Sequence, residues 1–302
     1  MKTVRTSTGI RPFEYAGHFF SRVSSDIELA CINAGNSVAV ELKYDDKLSE
    51  DEFAVIQVAV LYTAVSGERR VRCHNLALSV CTTVADVFRS ACCDSLMNLM
   101  VRQSVSSLRE GTLTVQQTKE NMITKAVKIL TSYRRHCAQP GSSLGQLILP
   151  EALKLLPMYV TGAIKCDAID GGPEMLPDDK AFAQIRTLGA SIRSSQVMLY
   201  PKLLKIEYDT ENHGNLVNGS NGNEATSDTD DLLSSNNLRV VFTRCSEIRL
   251  DPSAVCFILE NAFYLFIYIP VTQNSRQEQF VKNVFGAASL QAIHPDAVSI
   301  LY

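Results

Sequence analysis

The sequence predicts a multidomain protein of α and β structure, in which a β-rich segment is followed by helices and then by a smaller α+β unit. Residues 1–80 contain apolar runs with the two-residue period of strands, and residues 81–188 change to the period of helices. Residues 189–302 return to strands with one helical stripe. With 302 residues, of which 46% are hydrophobic, the chain is long enough for two or three domains with their own cores.

Charge and hydropathy argue against two broad classes of partner. The net charge of −3 and the pI near 6.0 lack the basic footprint of a nucleic-acid-binding protein, so we expect no nucleic acid partner. The longest apolar run, 262–271, contains Pro270 and is shorter than the ~18 residues that cross a bilayer. No apolar stretch follows Met1, so the sequence offers no secretory signal and the cytosol is the expected compartment.

The cysteine content predicts reduced thiols and no metal site. Nine cysteines, an odd number, are spread over the whole chain. None forms a Cys-x-x-Cys pair, and the adjacent Cys92 and Cys93 point to different sides of a helix. We therefore expect no zinc site within this chain.

The first segment is interpreted as part of a larger β structure. Apolar and polar residues alternate over 38–44, as in a strand with one buried face. The apolar run 54–62, the turn signal Ser66-Gly67-Glu68 and the run 69–78 predict a hairpin. These strands are too few to close a sandwich, so we expect partner strands upstream and a truncated chain.

Four helices are predicted in the second segment. Thr83 and Asp86 have the spacing of a capping box at the start of the first helix, and the second carries an apolar stripe between 122 and 133.

The third and fourth helices are placed by prolines and an acidic cap. Pro150 stands where the first turn of the third helix tolerates it, and Pro157 is expected to kink that helix. Asp178 is expected to cap the fourth helix, at about 179–188.

The last third begins with a predicted disordered loop, 209–237, which is rich in Asn, Gly, Ser, Thr and Asp. Beyond it, runs 255–259 and 263–269 predict a hairpin that turns at Glu260-Asn261-Ala262, and an apolar stripe at 280–285 predicts a helix. Strands and helix together indicate an α+β unit.

Seven short motifs follow one another along the chain: VRTSTG at 4–9, GERRVR at 67–72, HNLAL at 74–78, GQLILPE at 145–151, KLLP at 154–157, LYPKLL at 199–204 and LEN at 259–261. In this order they resemble the Sec24 family of cargo-adaptor subunits of the COPII vesicle coat. The QLILPE stretch is similar to the C/D-type branch of the family.

The resemblance implies three parts: the later strands of a β-sandwich at 1–80, an all-helical domain at 81–188, and an incomplete gelsolin-like α+β domain at 189–302. The family's zinc-binding module and trunk domain are expected upstream, so no cofactor is expected here. Three residues depart from the family pattern: Ala262 and Pro270 stand where Gly is common, and Tyr268 stands where Trp is common.

The candidate site is a pair of arginines on one strand. Side chains two residues apart share a face, so Arg70, Arg72 and His74 project together while Val71 and Cys73 face the other way. Guanidinium groups bind carboxylates through two parallel hydrogen bonds. The resemblance implies that Arg70 and Arg72 capture acidic export signals on cargo tails. The alternative is a solvated strand face or an ion pair within the chain.

The resemblance also implies partners and a location. The chain is expected to help form endoplasmic-reticulum-to-Golgi vesicles together with a Sec23-type coat subunit and a Sar-type small GTPase. Its ligands would be cytosolic tails of cargo and SNARE proteins, at exit sites on the surface of the endoplasmic reticulum. The similarity to the C/D-type branch implies a preference for another signal, read partly at the interface with the Sec23-type subunit, which would weaken the acidic-tail role of Arg70 and Arg72.

Other functions have weaker support in the sequence. Gly-x-Ser-x-Gly, the P-loop and Gly-x-Gly-x-x-Gly are all missing, so we expect no enzyme. The alternative function is that of a gelsolin-like actin or calcium-binding protein, based on the last third. The acidic turn 45–52 lacks the ligand spacing of a calcium loop, and residues 134–136 are interpreted as cations that end a helix. Asn218-Gly219-Ser220 matches a glycosylation sequon that a cytosolic protein leaves unmodified.

Overall fold

The structure is a computed structural model that describes most of the chain. The described residues are 2–23, 26–33, 36–138, 141–143, 145–208, 238–244, 254–270, 275–287, 289 and 292. The predicted disordered loop 209–237 and the sequon at 218–220 lie outside them.

Eleven strands and seven α-helices are formed by these described residues. The strands are β1 (Lys2–Thr6), β2 (Ile10–Gly17), β3 (Phe20–Val23), β4 (Asp26–Glu28), β5 (Val38–Tyr44), β6 (Phe53–Thr63), β7 (Arg69–Ser79), β8 (Lys202–Tyr208), β9 (Leu238–Thr243), β10 (Cys256–Glu260) and β11 (Leu265–Tyr268). The helices are α1 (Val84–Ser90), α2 (Cys93–Arg109), α3 (Val115–Cys137), α4 (Leu156–Ala163), α5 (Pro177–Gly189), α6 (Ile192–Leu199) and α7 (Ser275–Phe285). They divide into two compact units, residues 1–199 and 200–302.

The β part of the first unit consists of two antiparallel sheets. One has the strand order β3-β4-β1-β6-β7, and the other pairs β2 with β5. Val4 and Val60 are buried on the larger sheet, and Ile10 and Ala16 are buried on the smaller one.

The predicted hairpin of the larger sheet is confirmed. β6 and β7 pair over eleven residues, from Phe53 opposite Ser79 to Thr63 opposite Arg69. Gly67 has φ +85°, in the left-handed region that glycine adopts without strain, and its N–H donates to Ala64 O at 2.9 Å.

The helical part is organised around α2, which sequence analysis did not predict. α2 contacts α3, α4, α5 and α6, and it buries Met97, Val101 and Val105 almost completely. The buried residues Cys93, Met97, Met100, Val101 and Val105 recur with the spacing of one helical face, so the sequence carries the pattern of this helix although the helix was not predicted from it.

One buried cation joins the smaller sheet to the helices. Arg102 of α2 is 1% exposed, and its guanidinium donates to Ala16 O at 3.2 Å, to the Ser37 hydroxyl, and to Ala190 O. Desolvation lowers the pKa of Arg102 to about 10, so the side chain remains protonated at neutral pH. Arg102 therefore links β2, the start of β5 and the end of α5.

The start of α1 confirms one sequence prediction. The Thr83 hydroxyl accepts a hydrogen bond from Asp86 N at 3.2 Å, as the predicted cap requires.

The starts of two later helices correct the predictions made for them. Pro157 does not kink a helix: residues Glu151–Leu153 form a separate 3-10 turn, and Pro157 lies in the first turn of α4, where a missing N–H breaks no hydrogen bond. Asp178 is not a cap, because α5 already begins at Pro177 and Leu176 occupies the cap position. Its carboxylate instead lies in the positive first turn.

The second unit contains a four-stranded antiparallel sheet and α7. The strand order is β11-β10-β8-β9, and a core of Ile206, Val255, Cys256 and Phe280 lies between sheet and helix. The predicted hairpin and the predicted helix are therefore confirmed.

The turn of that hairpin holds an unusual backbone conformation. Asn261 Oδ1 accepts from the N–H groups of Phe263 and Tyr264, at 3.0 and 2.7 Å. Ala262 has φ +69°, in the left-handed region. This conformation is strained for alanine, whose Cβ approaches the following carbonyl oxygen, and glycine adopts it without that cost.

Candidate functional site: a cationic face on an edge strand

The two predicted site residues lie in β7, at the edge of the five-stranded sheet. β7 pairs with β6 on one side, and no described strand pairs with its other side. All eleven residues of β7 are exposed. An edge strand with both faces open can be reached by an extended ligand.

The register of the hairpin confirms that Arg70, Arg72 and His74 share one face. They lie opposite Tyr62, Val60 and Val58 of β6, and residues directly opposite in an antiparallel pair project to the same side. Val60 is buried, so this is the side of the sheet on which β6 contributes to the core.

Two leucines continue the same face. Leu76 and Leu78 follow His74 at intervals of two residues, and they are 52% and 44% exposed. We call the set Arg70, Arg72, His74, Leu76 and Leu78 the Arg-Leu face. Sequence reasoning did not include the leucines, although the two-residue period of the HNLAL motif carries that signal.

The two arginines differ in their surroundings. The Arg70 guanidinium pairs with the Glu68 carboxylate, with Nε 3.0 Å from Oε2, and both side chains are more than half exposed. Within the described part of the chain, Arg72 has no acidic partner at ion-pair distance. Arg70 is therefore exposed, as the predicted cargo role requires, but it already forms an ion pair within the chain. Arg72 presents a positive charge that no neighbouring carboxylate compensates.

The spacing of the arginines indicates the ligand they fit. Their Cα atoms are about 7 Å apart along the strand, the distance between alternate residues of any extended peptide. Two carboxylates separated by one residue would therefore match the two guanidinium groups. Aliphatic side chains further along the same peptide would reach Leu76 and Leu78.

The other basic cluster has a structural role. Arg134, in the last turn of α3, donates to Gln146 O at 2.5 Å and to Ser143 O at 2.7 Å. The side chain therefore holds the following loop against the helix end, in agreement with the interpretation of this cluster as helix-ending cations.

The acidic turn carries no sign of a metal site. Asp45 pairs with Arg11 at 2.6 Å. Among the described residues, no group of three or more His, Cys, Asp or Glu side chains is placed to hold a metal ion.

The described cysteines are free thiols in contrasting environments. Burial raises the pKa of Cys93 to about 11 and that of Cys256 to about 12, so these thiols remain protonated at neutral pH. The exposed Cys92 has a lowered pKa, chiefly because Ser95 donates a side-chain hydrogen bond to its sulfur.

None of the helices that the described residues form combines the length and the apolarity that a bilayer crossing needs.

Two family models match the first unit. Residues 1–81 match the Sec23/Sec24 beta-sandwich domain, and residues 92–197 match the Sec23/Sec24 helical domain. The predicted order of a β-sandwich followed by a helical domain is therefore confirmed.

Curated relatives from two kingdoms match the chain. The human protein transport protein Sec24C is 34% identical over 290 residues, which is 96% of this chain and 24% of the relative. Human Sec24D is 33% identical over 97% of this chain and 26% of the relative. SEC24 B of Arabidopsis thaliana is 36% identical over 67% of this chain and 18% of the relative.

A solved structure agrees with these matches. The crystal structure of the human COPII-coat protein Sec24c aligns with a TM-score of 0.76 and 32% identity, over 97% of this chain and 34% of that one. The chain thus spans about a quarter of the length of the human relatives. These relatives are transport proteins and give no support to the alternative function as an actin or calcium-binding protein.

Proposed function

Because the chain belongs to the Sec24 family of coat proteins, we propose that it is a cargo-binding component of the COPII coat. In this function it binds export signals on the cytosolic tails of cargo and SNARE proteins and helps form vesicles that carry them from the endoplasmic reticulum to the Golgi. The observation that carries the proposal is the Arg-Leu face, in which two arginines and two leucines lie on one side of an accessible edge strand. The function is non-enzymatic.

The proposed mechanism is carboxylate capture followed by apolar contact. Arg72 binds one carboxylate of an extended tail through two parallel N–H···O bonds. Arg70 releases the Glu68 carboxylate and binds a second carboxylate of the tail in its place. Exposed ion pairs contribute only about 0–1 kcal/mol, so each tail binds weakly. Many tails on a coated membrane then bind together by avidity.

The remaining parts of the proposal rest on the family resemblance. The coat partner is a Sec23-type subunit on membranes that carry a Sar-type GTPase, and the location is the cytoplasmic side of endoplasmic reticulum exit sites. A gelsolin-like identity for the last part is supported by the four-stranded sheet with α7 packed on it. The domain limits 1–80, 81–188 and 189–302 remain predictions.

The direct experiment is a peptide titration of the 302-residue chain. Fluorescence anisotropy would measure the affinity for a tail peptide with two acids separated by one residue, and for the same peptide with both acids changed to their amides. We expect Arg70→Ala with Arg72→Ala to weaken acidic-peptide binding by about tenfold or more. Arg69→Ala is the matched control, because Arg69 is exposed on the opposite face of the same strand.

The outcome also separates the two arginines. We expect Arg72→Ala to weaken binding more than Arg70→Ala, because Arg70 already has an internal partner. Glu68→Gln should tighten binding about two- to threefold, since it releases Arg70 from an exposed ion pair. Equal affinity of wild type and the double variant, with both folded by circular dichroism, would overturn the assignment.

A further inference from the structure

A second surface of the first unit has the features of a peptide site. A cavity of about 650 Å³ lies between the start of β5, the first two turns of α2 and the start of α6. Its walls are largely apolar, with Val38 and Val40 on one side and Leu96, Leu99 and Ile192 on the others. We call it the β5 groove. A cavity of this volume is in the range of ligand sites.

The groove lies along an unpaired strand edge. β5 pairs with β2, and within the described residues no other strand pairs with it. Three consecutive residues of β5, Val38, Ala39 and Val40, line the groove. Consecutive side chains point to opposite faces of a strand, so a cavity over one face would touch only alternate residues. A cavity that touches all three residues therefore lies along the edge of β5. Backbone N–H and C=O groups at that edge can pair with an extended peptide.

The charges around the groove favour a carboxylate. Arg193 is the one charged residue among those that line it, and it is exposed. Beneath the groove, the buried Arg102 guanidinium donates to the hydroxyl of Ser37, another lining residue. Among the described residues Arg102 has carbonyl and hydroxyl partners but no carboxylate at ion-pair distance. The positive charge at this end of the groove is therefore uncompensated.

We propose that the β5 groove binds an extended segment of a partner protein in which an Asp or Glu lies next to aliphatic residues. The segment adds as a strand to the edge of β5, places an aliphatic side chain against Leu96 and Leu99, and directs its carboxylate to Arg193. This surface belongs to a different sheet from the Arg-Leu face, so it does not depend on the role of Arg70 and Arg72.

The probe for this site is a fluorescein-labelled hexapeptide of alternating valine and glutamate, titrated against the 302-residue chain. We expect Arg193→Glu to weaken binding by about tenfold or more, because it places a like charge at the carboxylate position. Arg109→Glu is the matched control, since Arg109 is an exposed arginine at the far end of α2 and outside the groove. In the Arg70→Ala, Arg72→Ala double variant, Arg193→Glu should weaken binding of the hexapeptide by the same factor as in the wild type. This result would separate the β5 groove from the proposed cargo site.

A second measurement tests strand addition without any substitution. Hydrogen exchange should slow at the backbone amides of 38–40 when the hexapeptide is added, and should not slow with the peptide in which glutamine replaces glutamate. Three results would overturn the proposal: no binding by the folded chain, equal affinity of the wild type and Arg193→Glu, or no added protection at 38–40. A dimer that Arg193→Glu dissociates would assign the groove to a second copy of the chain and would also overturn it.

Discussion

Replacing Arg102 by methionine tests how the smaller sheet of the first unit, β2 and β5, is joined to the helices. Methionine keeps an unbranched apolar stem in the same space but removes the three hydrogen bonds that the guanidinium donates to Ala16, Ser37 and Ala190. The stem should stay packed in α2, so the variant isolates the contribution of the polar head.

The expected loss follows from two opposing terms. Hydrogen bonds from a charged donor contribute about 1.5–3 kcal/mol each, so three of them amount to about 5 kcal/mol at the low end. Against this, the lowered pKa of Arg102, from 12.5 to about 10, corresponds to a desolvation cost of about 3 kcal/mol that methionine avoids. Ala190 O also keeps two other donors, the Ser37 hydroxyl at 2.6 Å and Asn98 Nδ2 at 3.3 Å. We therefore expect a net loss of about 2 kcal/mol.

The assay is urea unfolding followed by circular dichroism, with each variant at the same protein concentration. Arg109→Met is the matched control, because Arg109 lies exposed in the same helix and should change the free energy of unfolding by less than about 0.5 kcal/mol. Arg102→Ala should cost about 2 kcal/mol more than Arg102→Met, since it also leaves a cavity. A free energy of unfolding for Arg102→Met equal to that of the control would refute the reasoning.

Three further predictions concern single sites. Ala262→Gly should stabilise the second unit by about 1 kcal/mol because it removes a left-handed alanine, and a thermal midpoint that falls in calorimetry would contradict this. Gly162→Ala should destabilise the first unit by about 1–3 kcal/mol, because the added Cβ would overlap with the backbone oxygen of Leu199, and an unchanged urea midpoint would refute the close approach. N-ethylmaleimide at neutral pH should modify Cys92 before any buried cysteine. Ser95→Ala should slow the modification of Cys92 by raising its pKa, and mass spectrometry of the labelled peptides measures the rate in each protein.

Local patterns predicted the elements whose residues carry a clear period or cap. The β6–β7 hairpin follows from two apolar runs around Gly67, and α1 begins where Thr83 provides a cap. Pro157 was misread because a proline within an apolar run fits both a kink and a helix start, and only the separate 3-10 turn before it decides between them.

The role of Arg102 is defined by tertiary contacts and could not be predicted, because this side chain resembles any helical arginine until the fold brings Ala16 and Ala190 to it. α2 itself was overlooked, although Met97, Val101 and Val105 recur every four residues on one helical face. Of the candidate site, the period of two correctly placed Arg70 beside Arg72. The ion pair between Arg70 and Glu68 could not be predicted from the sequence. Glu68 lies in the turn before β7, where the two-residue period of a strand does not determine the direction of a side chain.

A charge exchange across the proposed contact tests the central claim most directly. Arg72→Glu and the wild type would each be titrated with an acidic tail peptide and with the same peptide carrying lysines at the acidic positions. The account predicts that Arg72→Glu weakens binding of the acidic peptide by about tenfold or more and strengthens binding of the lysine peptide. Unchanged affinities for both peptides, in a variant that unfolds like the wild type, would contradict carboxylate recognition by this strand.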